Sequence, residues 1–415
     1  MMSYVTKLIC SRCKKVYDPK DIPVLCDKDD LGRLDIIYDY EKIKEVLDKR
    51  DIASRHGDIW RWKELLPTNE RFAVKLGEGT TPLIRAERLG ERLGLKNLYL
   101  KDETRNPTGS FKDRAMAIGI AKGREKGVRV VTTASSGNAA AALAAYAAKA
   151  GLNTVAFVLE STSKGKIAQL NLYGAKVVKV RKGREGEDPT VMMMLEVTKR
   201  KGWYPCPSFG PFNPYQVEGP KTISYELAEE FCWEPYDWVF IPTGSGCLLT
   251  GLWKGMMDLI KVGFVDYIPK LVAVQPEGNS PLIKAIKEGK RFEEIEPEKN
   301  PSTIATGLSD PFPWDGDMAL EGVKRSNGMG VAPNDEEIME AVKDLARYEG
   351  VFAEPSGAAG LAGLKKVIEE GVIDRGEKVI VLVTGTGLKD VEIIEGLVGE
   401  TPIIDPDPKF IEVMM

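Results

Sequence analysis

NLYLKDETRNPTGSFKDRAMAIGIAKGREKGVRVVTTASSGNAAAALAAYAAK, residues 97–149, contains the alternation from which we predict the fold. Two short runs rich in apolar and β-branched residues, Asn97–Lys101 and Val128–Thr132, predict strands. Each is followed by a polar loop and then by good helix formers with apolar residues at helical spacing, at Lys112–Lys126 and Asn138–Lys149. Strands that alternate with helices in this way run parallel, and the helices cover the faces of the sheet.

The same alternation continues through most of the chain. Further strands are predicted at Asn153–Leu159, Lys176–Val180, Trp238–Pro242, Lys270–Gln275 and Lys378–Val383. Further helices are predicted at Lys164–Tyr173, Pro189–Lys201, Val217–Phe231, Leu248–Val262, Glu336–Tyr348 and Gly357–Glu370. The glycine, proline and aromatic residues from Trp203 to Pro214 interrupt the pattern and indicate a crossing between two α/β units.

The composition excludes several classes of protein. The 415 residues include 58 Lys and Arg against 62 Asp and Glu, a net charge of −4, and a single histidine, His56. A nearly balanced charge gives no broad positive field for nucleic acid or an anionic membrane, and the apolar runs are shorter than the ~20 residues of a membrane helix. The N-terminal residues lack the pattern of a secretory signal, so we expect a cytoplasmic protein whose partner is a small molecule.

Three of the six cysteines lie close together near the N-terminus. Cys10, Cys13 and Cys26 have the spacing of a zinc ribbon, in which a second pair of cysteines normally completes the site. Asp29 stands where the fourth cysteine would be. Two interpretations stay open: a zinc site with three thiolates and a carboxylate, or a small ribbon-like extension without metal.

Four junctions between a predicted strand and a predicted helix are rich in Gly, Ser, Thr and Asn. They lie at residues 106–114, 133–138, 243–247 and 383–390. In open parallel sheets ligands bind at such junctions, where helix N-termini present free N–H groups. Taken singly, each has an ordinary explanation as a helix cap, a tight turn or, for Lys112, a solvated lysine.

Together the four junctions supply the groups that pyridoxal phosphate requires. Lys112 lies in the first turn of a helix, which disfavours a charged ammonium and so favours a nucleophilic amine. Residues 133–138 form a nest suited to a carboxylate, and residues 243–247 allow close backbone approach to a phosphate. Thr384 adds a neutral hydroxyl at the end of the most apolar strand. The sequence therefore predicts a pyridoxal phosphate enzyme, in which a lysine replaces histidine as acid and base.

The segment Asn-Pro-Thr-Gly-Ser-Phe-Lys-Asp-Arg at 106–114 closely resembles the cofactor-lysine motif of the fold type II pyridoxal phosphate enzymes, and of the threonine synthase family in particular. The resemblance extends over nearly the whole chain, through residues 76–83, 218–222, 304–308 and 384–390 and the cysteine-containing N-terminal segment. It implies two three-layer α/β domains. The predicted divisions are an N-terminal extension at 1–45, a large cofactor-binding domain at 46–110 and 206–415, and a small domain at 111–205.

The resemblance also implies the roles of individual residues. Lys112 would carry the cofactor as a Schiff base and act as general acid and base, Asn138 would bind the cofactor's 3′-oxygen, and Thr384 would meet the pyridine nitrogen. The cofactor's phosphate would be held by backbone N–H groups of Gly244, Ser245, Gly246, Cys247 and Leu248. The substrate carboxylate would be held by Ser135, Ser136, Gly137 and Asn138.

The reaction that the resemblance implies converts O-phospho-L-homoserine and water to L-threonine and phosphate. Two residues depart from the family pattern: Ala139 replaces a threonine, and Gln216 replaces an arginine that helps bind the substrate phosphate. Without that arginine phosphohomoserine should bind more weakly, unless Lys221 or another cation substitutes.

Residues 354–359, Glu-Pro-Ser-Gly-Ala-Ala, are more similar to serine/threonine dehydratases than to threonine synthases. The alternatives are therefore a threonine or serine dehydratase, a β-replacement enzyme such as cysteate synthase, or a catalytically silent relative. A homodimer is the usual state of the family.

Overall fold

The computed structural model describes residues 3–28, 30–181, 183, 188–396, 401, 403 and 406. Within these residues the strands form three sheets. The strands are β1 Val5–Cys10, β2 Val16–Tyr17, β3 Leu34–Tyr38, β4 Leu83–Arg85, β5 Asn97–Asp102, β6 Val130–Thr133, β7 Asn153–Leu159, β8 Lys176–Val180, β9 Tyr204–Pro205, β10 Trp238–Pro242, β11 Lys270–Val274, β12 Met329–Val331 and β13 Lys378–Val383.

The α-helices lie mostly between strands of the two larger sheets. They are α1 Tyr40–Val46, α2 Lys49–Ser54, α3 Glu87–Leu93, α4 Lys112–Lys126, α5 Asn138–Ala150, α6 Lys164–Leu172, α7 Pro189–Lys201, α8 Lys221–Glu230, α9 Cys247–Lys261, α10 Pro281–Glu288, α11 Gly316–Arg325, α12 Asp335–Glu349, α13 Pro355–Glu369 and α14 Val391–Glu395. Within the described part of the chain, no helix is both long and apolar enough to cross a membrane.

The six-stranded sheet has the order β12-β11-β10-β13-β5-β4, and only its edge strand β4 is antiparallel to its neighbour. Its central strands are buried on both faces because alternate residues enter different cores. Trp238 and Phe240 pack in the core that contains α12 and α13, whereas Val239 and Ile241 pack in the core that contains α8 and α9. Burial on both faces explains the continuous apolar runs of β10 and β13.

The four-stranded sheet has the order β8-β7-β6-β9 and is parallel throughout. Helix α7 covers one face, where Met194 packs with Phe157 of β7. Helices α5 and α6 cover the other face, where small alanines of α5 pack with Val158. With the six-stranded sheet, this arrangement confirms the predicted α/β class.

The cysteine-containing N-terminal segment forms a small antiparallel sheet of order β2-β1-β3. It packs on the larger part of the molecule through polar contacts as well as apolar ones. Tyr38 Oη donates to Glu218 Oε2 at 2.6 Å, and Arg33 Nη1 donates to Asp317 Oδ1 at 2.6 Å. The predicted limits of the domains stay predictions.

The seven strands predicted from the sequence are all present, with ends shifted by two residues at most. One helix boundary was wrong: α8 begins at Lys221, and the residues before it form a short 3-10 helix, Pro214–Glu218. Pro220 explains the break, because proline has no backbone N–H and its ring clashes with the preceding turn of a helix. Gly219 has another role, because a Cβ atom there would lie 2.1 Å from the backbone oxygen of Arg114. The chain must pass close to α4 at this point.

Candidate active site

The carboxyl ends of the strands and the N-termini of α4, α5 and α9 border a cavity of about 1070 Å³. Eleven of the site residues predicted from the sequence line it: Lys112, Ser135, Ser136, Gly137, Asn138, Gly244, Ser245, Gly246, Cys247, Leu248 and Thr384. Ala139 lines it as well. The structure therefore brings all four predicted junctions to one place.

Lys112 is the first residue of α4, and its Nζ donates to Ser208 Oγ at 2.9 Å. Hydrogen bonds within the preceding loop stabilise it: the backbone N–H and the hydroxyl of Thr108 donate to Asp113 Oδ2 at 3.0 and 2.9 Å. It is also joined to the end of β13, because Phe111 N–H donates to the backbone oxygen of Thr384 at 3.1 Å. The lysine is thus held by a rigid loop.

Ser208 was not predicted from the sequence. It has a φ of +69°, which is strained for a residue with a side chain, and its N–H donates to Gln216 Oε1 at 2.9 Å. Gln216 itself is fully buried behind Ser208 and does not line the cavity. The side chain of Gln216 therefore contacts Ser208, which in turn bonds to Lys112, and Gln216 does not reach a ligand in the cavity.

Residues 244–248 lead from β10 into the N-terminus of α9. Gly246 has a φ of +95°, and a Cβ atom on Gly244 would lie 2.9 Å from Asp310 Oδ2. Both glycines let the backbone approach a ligand closely at the positive end of a 15-residue helix. This glycine cradle suits the phosphate of pyridoxal phosphate.

Asn138 begins α5, and its Nδ2 donates to Glu354 Oε1 at 2.7 Å. Glu354 is buried beside Gly385, where a Cβ atom would lie 2.3 Å from Glu354 Oε1. Burial raises the pKa of Glu354 to about 7, although the nearby Lys389 lowers it. A carboxyl group that titrates near neutral pH thus lies at the cavity, next to the asparagine predicted to bind the cofactor.

Two lysines besides Lys112 line the cavity. Lys166 Nζ forms an ion pair with Asp390 Oδ1 at 2.8 Å. Lys389 Nζ is buried, and among the described residues it has no hydrogen-bond partner. Lys221, the cation considered from the sequence, lies elsewhere, because its Nζ pairs with Glu218 and Asp258 in the core.

The three N-terminal cysteines are also brought together, although they do not line the cavity. The carboxylate beside them belongs to Asp30. Asp29, the residue that the sequence suggested, lies outside the described residues.

The residues present fit pyridoxal phosphate. One lysine, one glycine cradle at a helix N-terminus and one polar nest face the same cavity, and the buried ammonium of Lys389 is available to an anion. Such a site can form a covalent bond to an aldehyde, hold its phosphate and orient an amino acid. Ser208, Glu354 and Lys389 complete it. None of the three was predicted as a site residue, although each lies in a segment that the sequence made conspicuous: the interruption at 203–214, residues 354–359 and the junction at 383–390.

Residues 74–385 match the family described as "Pyridoxal-phosphate dependent enzyme", and the chain belongs to that family. The curated threonine synthase of Methanocaldococcus jannaschii is 42% identical over 383 residues, 92% of each chain. That of Methanosarcina acetivorans is 39% identical over 399 residues, 96% of each chain. Within the pyridoxal phosphate enzymes, the chain thus belongs to the threonine synthase family, and its cofactor is pyridoxal phosphate.

Solved structures of other pyridoxal phosphate enzymes share the fold. Tomato threonine deaminase isoform 2 has a TM-score of 0.63 and 25% identity, and the match covers 77% of this chain and 84% of that one. O-ureido-L-serine synthase has a TM-score of 0.61 and 21% identity, with 80% and 96% covered. The predicted fold type II architecture and the predicted class of lyase are confirmed.

Proposed function

We propose that this protein converts O-phospho-L-homoserine and water to L-threonine and phosphate. The observation that carries the proposal is that Lys112, the glycine cradle and residues 135–138 line one cavity in a chain of the threonine synthase family. We also propose that it works in the cytoplasm as a homodimer, as the family resemblance implies.

The proposed roles combine the positions of these side chains around one cavity with what the family resemblance implies. Lys112 would attach the cofactor, residues 244–248 would hold its phosphate, and Thr384 and Asn138 would bind its pyridine nitrogen and its 3′-oxygen. Ser135, Ser136 and Gly137 hold the substrate carboxylate, together with Asn138. When bound, pyridoxal phosphate withdraws electrons from the α-carbon of the substrate and so makes its C–H bond acidic.

Proton transfer is the task of Lys112. Phosphate leaves from Cγ and water adds at Cβ, so protons must be removed and returned at several carbons of one substrate. An amine at the start of a helix can do both, and Ser208 Oγ, 2.9 Å away, keeps it in place between transfers. Gln216 contributes indirectly, because its Oε1 accepts a hydrogen bond from the backbone N–H of Ser208.

The substrate phosphate needs a cation, since Gln216 replaces the family's arginine and lies outside the cavity. Lys389 is the best candidate because its buried Nζ has no hydrogen-bond partner among the described residues. Burial lowers its pKa, and the charges of Glu354, Asp113 and Asp390 oppose this. Lys166 is the second candidate, although its charge is already paired with Asp390.

A second candidate function is a threonine or serine dehydratase. It is favoured by Gln216 and by the similarity of the fold to tomato threonine deaminase. β-Replacement, as in cysteate synthase, is the third, and it would use phosphoserine.

The test incubates the enzyme, loaded with pyridoxal phosphate, with phosphohomoserine, phosphoserine, threonine or serine, and measures phosphate, threonine and 2-oxo acid. We expect phosphate and threonine in equal amounts from phosphohomoserine. Phosphate without threonine would contradict the proposal, and 2-oxobutyrate from threonine as the main activity would favour the dehydratase.

Lys112→Ala should lower turnover by at least about 100-fold, the contribution of a positioned acid and base. The matched control is Lys149→Ala, at an exposed position near the end of α5, which should keep full activity. Equal turnover by the two variants would contradict the role of Lys112, and a wild-type protein without turnover on any of these substrates would support a catalytically silent relative.

A further inference from the structure

The N-terminal sheet contains a cluster of four potential metal ligands that the proposed reaction does not use. The Sγ atoms of Cys10, Cys13 and Cys26 and a carboxylate oxygen of Asp30 all lie within 4.8 Å of one another. None of the four lines the active-site cavity. The cluster therefore needs an explanation of its own.

The backbone brings these residues together at one end of the small sheet. Cys10 ends β1, and the following turn is closed by Lys14 N–H, which donates to the Cys10 backbone oxygen at 3.1 Å. Cys13 lies in this turn, whereas Cys26 comes from the loop between β2 and β3. Asp30 comes from the residues just before β3. Two ligands from a turn and two from a second loop is the arrangement of a zinc ribbon.

The distances between ligand atoms agree with one tetrahedral zinc ion. Cys13 Sγ and Cys26 Sγ are 3.6 Å apart, and Cys10 Sγ is 3.5 Å from Asp30 Oδ2. Zn–S bonds of about 2.3 Å and Zn–O bonds of about 2.0 Å, at tetrahedral angles, place two sulfurs about 3.8 Å apart and a sulfur and an oxygen about 3.5 Å apart. The Cys13–Cys26 distance is too long for a disulfide, whose sulfurs are about 2.05 Å apart.

Neighbouring groups orient the proposed ligands. Tyr17 Oη donates to Cys26 Sγ at 3.3 Å, and Gly32 N–H donates to Asp30 Oδ1 at 2.8 Å. A Cβ atom on Gly32 would lie 2.4 Å from Cys10 Sγ, so the chain needs glycine here for the thiol to keep its place. Hydrogen bonds from outside the ligand set are typical of metal sites, where they fix the direction of the ligand atoms.

We propose that Cys10, Cys13, Cys26 and Asp30 bind one structural Zn²⁺ ion. Three thiolates and one carboxylate give the site the same charge as four thiolates, and four protein ligands leave no open position for catalysis. The ion joins the turn after β1 to the loop before β3 and so fixes the start of β3. This proposal does not depend on the substrate of the enzyme.

The experiment measures zinc in the purified full-length holoenzyme by mass spectrometry and its ligands by X-ray absorption at the zinc edge. We expect one zinc per chain, with three sulfur ligands and one oxygen ligand. Because this measurement uses the wild-type protein, it does not depend on whether a variant folds. Two results would overturn the proposal. One is a zinc content below about one ion per ten chains in protein that was produced and refolded in the presence of zinc. The other is a zinc coordination shell that contains no sulfur.

Variants identify the ligands. Cys13→Ser with Cys26→Ser should lose the metal, whereas Cys232→Ser, at an exposed cysteine outside the cluster, should keep it. Asp30→Cys should keep one zinc and change the shell to four sulfurs. Zinc that stays in the double cysteine variant would show that the metal binds elsewhere. A shell unchanged by Asp30→Cys would show that Asp30 is not a ligand, and the proposed four-residue site would be wrong.

Discussion

Glu354 is a buried acid whose charge depends on its surroundings. Its carboxylate accepts from Asn138 at 2.7 Å, and burial raises its pKa from the ordinary 4.5 to about 7. Between about pH 4.5 and pH 7, Glu354 therefore keeps its proton in the native protein and loses it in the unfolded chain. Because the native state binds more protons, the free energy of unfolding falls as the pH rises from about 4.5 to 7.

Glu354→Gln should remove this part of the pH dependence, because glutamine has no proton to lose and its amide oxygen can still accept from Asn138. Relative to wild type, the variant should gain about 3 kcal/mol of unfolding free energy between pH 4.5 and 7.5, from 1.36 kcal/mol per pKa unit. Urea unfolding of both holoenzymes across this range measures the difference. A constant difference between the two proteins would show that Glu354 titrates normally.

At the scale of the element, helix α4 carries both Lys112, the lysine proposed as catalytic, and a buried arginine that anchors the helix. Arg114 is fully buried, and its guanidinium pairs with Glu103 at 2.7 Å and with Glu226 of α8. Lys101 of β5 also pairs with Glu226, at 2.8 Å. These ion pairs connect the first turn of α4 to the six-stranded sheet, so they fix the position of Lys112 two residues earlier.

Arg114→Met should destabilise the protein strongly, because it leaves the buried carboxylates with too little positive charge. Removal of one member of a buried ion pair costs about 3–5 kcal/mol. Arg200→Met is the matched control, since its pair with Glu196 on α7 is exposed and contributes roughly 0.5 kcal/mol or less. Chemical denaturation of the two holoenzymes compares them, and equal losses of stability would contradict this account.

Strands of the two parallel sheets with an apolar run were predictable from the sequence, and their shortest strands were not. The N-terminal strands β1 and β3 and the helix α11 were also missed, although they have six, five and ten residues. Seven strands of five to seven residues in the predictions follow from apolar and β-branched runs bounded by turns. The strands β9 and β12 have two and three residues, too few for any periodicity, and pair only because neighbouring strands are already in place. In the active site the junction residues were predictable, since each junction connects a predicted strand to the loop or helix that follows it in the α/β pattern.

Contacts between distant segments were beyond the sequence. Ser208 meets Lys112 across 96 residues, and Asn138 meets Glu354 across 216. The position of Gln216 in the family motif suggested that it contacts the substrate. In the folded chain its side chain does not line the cavity, and its Oε1 accepts from Ser208 N–H.

At the scale of the whole molecule, Arg33 connects the N-terminal sheet to the glycine cradle. Its guanidinium lies 2.6 Å from Asp317 and 3.6 Å from the buried Asp315. Asp315 N–H donates to the Ser245 backbone oxygen at 2.8 Å, and its carboxylate accepts from Gly210 N–H at 3.0 Å. Burial raises the pKa of Asp315 to about 6, and Arg33 opposes this rise. Arg33 thus stabilises the charged carboxylate of Asp315 from outside the cavity lining, and the backbone N–H of the same aspartate donates to the cofactor loop.

Arg33→Met should therefore weaken the binding of pyridoxal phosphate, although Arg33 does not line the cavity. Without the guanidinium the pKa of Asp315 rises further and its carboxyl becomes neutral near pH 7. A neutral carboxyl accepts more weakly from Gly210 N–H, so Asp315 is held less firmly and its backbone N–H supports Ser245 less well. Loss of a charged hydrogen bond costs about 1.5–3 kcal/mol, so the Kd should rise roughly tenfold or more. Absorbance titration of the apoenzyme with pyridoxal phosphate measures it.

Two comparisons separate this mechanism from general damage to the fold. Arg50→Met, at an exposed arginine of α2, should leave the Kd unchanged. In an Asp315→Asn background, Arg33→Met should have a much smaller effect, because the two substitutions remove the same interaction and their effects are not additive. If Arg33→Met raises the Kd equally in both backgrounds, the arginine acts through Asp317 or through packing, and the proposed path from the N-terminal sheet to the cofactor loop is wrong.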